Sequence, residues 1–232
     1  MVLVIKLVIF LIGLFFQPFY IWAHYQAEKE RIARMRRFAR RRGFKFTEGI
    51  HRGMSREHRF LRKVDGGGHY ALNIMKGKFD GHSVAMFDYH RSSINGEAEV
   101  WEYSLWIKRE YCSFFVLDLE MDFPTLSVVE ESNGLGFFSA IGDAFGLGDI
   151  DFESHEFSEK FDVRGDDRKF AYDFCNAQMM EHLLSQPVLP IEVEKRVLAI
   201  CFDSLLEHQN IESSVGRLLA IRERMPDYLF AG

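Results

Sequence analysis

YALNIMKGKFDGHSVAMFDYH, residues 70–90, decides the fold. Two runs of alternating apolar and polar residues, 70–79 and 83–90, flank Asp80-Gly81. An Asp-Gly pair between two such runs signals a two-residue hairpin turn, because both turn positions take positive φ and these residues tolerate it. The hairpin predicts an antiparallel sheet. Downstream, segments 99–108, 113–120 and 125–129 are rich in Tyr, Phe, Trp and Val, the side chains that suit a pleated, half-buried surface. Asn95-Gly96 marks a further turn, and the short links favour a meander.

At 132 the rhythm changes. NGLGFFSAIGDAFGLG, residues 133–148, holds five glycines and reads as a short helix with flexible ends, or a loop. It lacks both GxGxxG and a Gly-Lys-Ser/Thr ending, so it is not a phosphate loop. Tight turns, close packing or a partner contact are its expected roles. A short strand is predicted at 149–154 and a helix at 166–184. Asp166 or Asp167 caps that helix, and Phe170, Phe174, Ala177, Met180, Leu183 and Leu184 form its apolar face. Pro187 and Pro190 end it. Strands at 191–194 and 196–202 and a helix at 211–224 follow. Upstream, 55–64 reads as a short helix or surface turn. The expectation is an α+β domain, an antiparallel sheet with helices on one face, in a roll resembling the pleckstrin-homology fold.

Ahead of this domain, VLVIKLVIFLIGLFFQPFYIWA, residues 2–23, is apolar over 22 positions with one charge, Lys6. About 20 residues of α-helix cross a hydrocarbon core. Lys6 is near enough to the outer end to snorkel, Pro18 falls in the last turns, and Tyr20, Trp22 and Tyr25 fit the opposite interface. Residues 3–23 are thus read as a membrane anchor. Nine Lys or Arg against two acids follow in residues 24–45, a net of +7. By the positive-inside rule this leaves a short N-terminus outside and the C-terminal domain in the cytoplasm, at a bacterial inner membrane. A cleaved signal peptide fits less well, since no basic region precedes the apolar run. The division is an anchor over 1–24, a basic juxtamembrane helix over 25–43 and a cytoplasmic domain over 44–232. On the basic helix, Ile32, Met35, Phe38 and Ala39 share one face. Arg31, Arg34, Arg37, Arg40, Arg41 and Arg42 are placed at the membrane surface, against anionic headgroups. The same arginines could instead signal topology or pair with the acidic domain.

The overall charge of −5 conceals that asymmetry: residues 46–232 carry 19 basic and 32 acidic side chains, a net of −13. So acidic a domain argues against nucleic acid as a partner. Cys112, Cys175 and Cys201 share no metal-binding spacing and read as buried reduced thiols.

Two clusters could carry chemistry. On a strand, Asp149, Asp151, Glu153 and His155 would all face one side, where they could hold a divalent cation for a metal-dependent hydrolase. The alternative is the solvated side of an amphipathic strand. Asp80, His82, Asp88 and His90 fall in the hairpin, as an acid–base pair or as turn formers and cross-strand polar pairs. No GxSxG, HExxH, deaminase or kinase motif occurs, and no cofactor is predicted.

The segments NIMKGKFDGHSVAMFDYH, FVLDLEMDFPTLSVVEE, DIDFESHEFSEKFDVRGDDRKFAYDF and NAQMMEHLL resemble an uncharacterised bacterial family of single-span, membrane-anchored proteins with a cytoplasmic domain. The likeness covers about residues 43–190, rests on structural residues and brings no activity. Together with the missing motifs it favours a non-enzymatic interaction or scaffold domain with an unknown protein partner. An accessory subunit of a membrane complex and the hydrolase are the alternatives.

Overall fold

The computed structural model describes residues 2–61, 70–91, 110–131 and 148–231. The predicted strand at 99–108, the Asn95-Gly96 turn and the glycine-rich residues 133–147 lie outside them.

An N-terminal helix, α1 (Val2–Arg42), leads into strand β1 (Lys45–His51), a short helix α2 (Met54–Glu57) and a 3-10 turn (Arg59–Leu61). The hairpin follows as β2 (Tyr70–Phe79) and β3 (His82–Arg91), within a residue of the predicted limits. Asp80 and Gly81 take φ of 46° and 85°, as the Asp-Gly signal requires. The long strand β4 (Glu110–Glu130) comes next, then β5 (Gly148–Asp149), α3 (His155–Lys160) and β6 (Phe161–Gly165). Helices α4 (Arg168–Phe174) and α5 (Ala177–Ser185), strand β7 (Ile191–Phe202) and helix α6 (Ile211–Arg224) complete the order.

All seven strands pair antiparallel in one sheet, and β4 is its axis. One edge of β4 is shared: β3 pairs along its first half and β6 along its last residues. β7 pairs along the other edge, from Ser113↔Phe202 to Val128↔Ile191. Among the described residues β1 pairs β2 alone and β7 pairs β4 alone. The sheet is therefore open and branched, where a pleckstrin-homology-like roll was expected.

Three other expectations change in detail. The two strands predicted on either side of Pro124 are one strand, β4. Its ladder with β7 shifts register between Asp118 and Phe123 and again before Leu126, so Pro124, which has no N–H to give, falls where the ladder is already interrupted. Opposite this stretch Lys195 takes a φ of 52°. This joins the two strands predicted at 191–202 into one. The helix predicted over 166–184 is broken at Asn176, whose side chain accepts the N–H of Met179 and so caps α5. Asp167 caps α4 by accepting the N–H of Phe170, and Asp166 instead accepts the N–H of Thr125 on β4.

β4 buries both faces, and alternate residues enter two cores. Phe115 and Leu117 join the larger, with Phe157, Phe161, Phe174, Val215 and Leu218 from the helical side. Met35, Phe38 and Ala39 of α1 belong to this core as well. Phe114 and Val116 join the smaller, closed by Met54, Phe60 and Leu61. A strand buried on both faces reads as a continuous apolar run, as Phe114–Leu117 does. The larger core accounts for the predicted layer of helices. At its margin Phe44 lies across Gly77 of β2, and a Cβ there would fall inside the Phe44 ring. Gly77→Ala is expected to destabilise the protein by about 1–3 kcal/mol through overpacking. Pairing it with Phe44→Leu should recover part of the loss in urea denaturation; additive losses would show that the ring and the glycine are not coupled.

Candidate functional site

The predicted cation site is not assembled. β5 ends at Asp149 and the chain leaves the sheet, so the alternation that would align residues 149–155 is lost. Ser154 instead accepts the N–H of Phe157 as the cap of α3. Asp151 and Glu153 are exposed, and His155 is exposed beside Glu159, 3.5 Å away on the same helix. Among the described residues, no group of three or more His, Cys, Asp or Glu could hold a metal ion.

The hairpin residues are separated too. Asp80 and His82 are at the turn, while Asp88 is six residues from His82, roughly 20 Å along a strand. His90 stacks on Tyr70 at 4.5 Å and meets Tyr111 edge-on. Asp88 is fully buried at 0 % exposure, and it is the centre of a buried polar network that joins α1 to the sheet.

That network is built from four elements. Arg31 of α1 is 5 % exposed. Its Nη2 donates to Asp88 Oδ2 at 2.8 Å and its Nη1 to the carbonyl of Leu206 at 2.6 Å. Glu28, one turn earlier, accepts Nε and Nη2 in a fork, both at 2.8 Å. Asp88 also accepts Asn73 Nδ2 at 2.9 Å and the N–H of Leu206 at 2.7 Å. Asn73 gets there through a β-bulge: β2 fits two residues, Asn73 and Ile74, opposite Phe87. Asn73 takes a φ of 53°, a conformation that Asn tolerates better than most residues. Leu206, in the connection from β7 to α6, therefore gives its N–H to the carboxylate and its C=O to the guanidinium.

Burial pushes the Asp88 carboxyl above its ordinary range, opposed by the charge of Arg31 and the donors from Asn73 and Leu206. Burial also works against the Arg31 charge, but the Glu28 hydrogen bond and Asp88 outweigh it and raise the guanidinium further. Glu28, half-buried, is held below the usual glutamate value, chiefly by its hydrogen bond to Arg31. The arrangement fixes a helix to a sheet.

Only part of the basic segment is left facing outward. Arg31 is buried, correcting its placement at a membrane surface. Arg36 pairs with Glu48 of β1 and Arg42 with Glu212 of α6, so the basic helix and the acidic domain are joined. Arg34 is 3.8 Å from Glu30, and Arg37, Arg40 and Arg41 are exposed. Further toward the N-terminus, Phe19, Tyr20, Ile21, Trp22 and Tyr25 are all more than half exposed. Among the described residues, no helix is long and apolar enough to cross a membrane. The single-span reading of residues 3–23 rests on the sequence.

The chain is thus an α+β domain with an antiparallel sheet, carried on a long N-terminal helix. No family model and no curated protein matches it. Among solved structures, the crystal structure of the mycobacterial trehalose monomycolate transport factor A, TtfA, is similar at a TM-score of 0.54. The two are 11% identical, over 84% of this chain and 96% of that one. The likeness shows a shared fold with a bacterial protein.

Two expected outcomes test the network. Removing one partner, by Asp88→Ala or Arg31→Ala, should cost about 3–5 kcal/mol, because it strands the other charge in the interior. The joint apolar replacement Arg31→Met with Asp88→Leu should restore most of that in chemical denaturation of the full chain. The second test uses pH. Because the folded pKa of Glu28 is depressed, its contribution is present above the ordinary value of 4.5 and fades as pH falls through the folded value. The stability gap between wild type and Glu28→Gln should therefore be open at neutral pH and close as the pH falls below 4.5. A gap that is constant across pH would remove Glu28 from the network's energetics.

Proposed function

We propose that this protein is a non-catalytic accessory module of a bacterial inner membrane. In this reading it is tethered by residues 3–23, and its acidic domain is presented to a protein partner in the cytoplasm. The observation that carries the reading is the build of α1. It is one helix from Val2 to Arg42, its C-terminal part is pinned into the domain through Arg31, and its residues 19–25 carry exposed large apolar side chains. Such a group of exposed aromatic and aliphatic side chains marks a contact surface. Here it continues the apolar run of the sequence, at the position where a membrane interface holds Tyr and Trp.

The TtfA likeness adds support of a general kind, since that protein is a transport factor, which fits an accessory role. The basic run then serves topology and pairing with the domain. Along an unbroken helix Arg40 lies about 27 Å beyond Trp22 at 1.5 Å per residue. That is some three Debye lengths at physiological salt, too far for strong attraction to headgroups level with Trp22.

The full chain is expected in the membrane fraction after an alkaline carbonate wash. Leu11→Lys with Leu14→Lys, each change costing roughly 2.5–3.5 kcal/mol at a span centre on insertion scales, should release it. Quantitative release of the wild-type chain would overturn the tether. A C-terminal alkaline phosphatase fusion that is active outside the cytoplasm would overturn the orientation. In-cell crosslinking from the domain should trap one defined partner; a chain that crosslinks to nothing would count against the accessory role.

A further inference from the structure

Beside the network, and sharing Leu206 with it, a cleft of about 170 Å³ opens between β4, the connection after β7 and the first turns of α6. That is room for about five waters, each occupying ~30 Å³ of liquid. Four serines line it, and two of them are buried on different elements, Ser113 of β4 and Ser214 of α6. They are 2 % and 6 % exposed; neither hydroxyl bonds another described residue, and neither Oγ is sealed from solvent, so both open onto the cleft they line. The neighbouring Ser213 behaves differently: its hydroxyl donates to the carbonyl of Asn210 at 2.9 Å. A hydroxyl that opens onto a cleft is free to donate to whatever occupies it. Two of them converging on one cleft leave polar capacity that the protein itself does not fill.

The remaining walls give that capacity a sign. α6 is 14 residues long and starts at Asn210, whose side chain makes no capping hydrogen bond. The protein therefore does not cap its first N–H groups with that side chain, and such a helix end attracts anions. Asn210, Ser214 and Arg217 recur at helical spacing along the same wall. The Arg217 guanidinium donates through Nη2 to the carbonyl of Pro187 at 2.6 Å and lies 5.8 Å from the centre of the Phe202 ring. It is half-buried, which lowers its pKa from the ordinary arginine value, and it lines the cleft. Glu207 also lines the cleft. Its carboxylate offers an acceptor to a ligand hydroxyl.

We propose that this cleft binds a single phosphoryl group carried on a small hydroxylated fragment. Ser113, Ser214, Arg217 and the start of α6 donate to the phosphoryl oxygens, and Glu207 accepts from the fragment. The proposal stands apart from the membrane reading above. The same chemistry could arrive as a free phosphate ester or as the headgroup of a phospholipid.

The test uses the full chain in phosphatidylcholine nanodiscs. Isothermal titration with sn-glycerol 3-phosphate should give saturable binding, and glycerol should give none. The variant Ser113→Ala, Ser214→Ala, Arg217→Gln should weaken that binding at least tenfold. The double serine variant alone should keep the melting temperature, because neither hydroxyl bonds another described part of the protein, while still weakening binding. Competition identifies the source. Displacement of glycerol 3-phosphate by phosphatidylglycerol vesicles, and not by phosphatidylcholine vesicles, assigns the site to a headgroup; no displacement by either assigns it to a free ester. Absence of binding by glycerol 3-phosphate, inorganic phosphate and phosphatidylglycerol vesicles alike would overturn the proposal. So would an affinity unchanged in the double serine variant.

Discussion

A guanidinium and a carboxylate meet in the interior of this protein, Arg31 on Asp88 at 2.8 Å, and the relation between its N-terminal helix and its sheet depends on that meeting. Burying two opposite charges gains little net stability, because the loss of hydration roughly offsets their attraction. What the pair supplies is uniqueness. Apolar packing of Met35, Phe38 and Ala39 could tolerate a helix slid or turned by a fraction of a pitch. The charges cannot, since any such shift leaves an ion in the core without its partner. The donors from Asn73 and Leu206 extend the same demand to β2 and to the connection before α6. One helix position is thereby tied to three other places in the fold.

The sheet was legible in the sequence where local chemistry and tertiary structure agree. Asp80-Gly81 dictated the hairpin, and the helix predicted at 211–224, with Pro226 just beyond it, is α6. Elsewhere local signals were overridden. Pro124 looked like a strand boundary, because a proline interrupts a ladder; it does interrupt one, but β4 continues past it along β6. Asn176 looked like one polar residue within a helix, and it is the cap of a second helix. The acidic alternation at 149–155 has the period of a strand, yet Ser154 starts a helix in its midst. Strand β1 escaped notice because KFTEGIH carries little apolar signal and lies at a sheet edge.

The network was written in the sequence as two anomalies, each dismissible alone. Asp88 interrupts the face formed by Val84 and Met86, and Arg31 lies four residues ahead of Met35 on the buried side of α1. A charge on an apolar face reads as a boundary or a polar cross-strand pair. Two charges of opposite sign, each misplaced on its own element, point to each other, but sequence separation hides the pairing. Asn73 was less visible still, since the bulge that aims it arises from the register between strands. The cleft beside α6 left no pattern at all: Ser113 and Ser214 are ordinary residues in a strand and a helix, and only the fold brings them together.

An α-helix turns about 100° for each residue, so a residue held fixed at one point sets the compass heading of every other. With Arg31 engaged, the directions in which Phe19, Trp22 and Tyr25 leave the helix are set relative to the sheet. The domain and the exposed aromatic residues thus behave as two hands on one shaft. Inserting a single residue between Trp22 and Arg31 would swing one hand by more than a quarter turn without disturbing the packing of either. The spacing between these two positions is therefore itself a coded quantity, an angle written in residues, and it sets which side of the domain faces along the plane that the aromatic residues define.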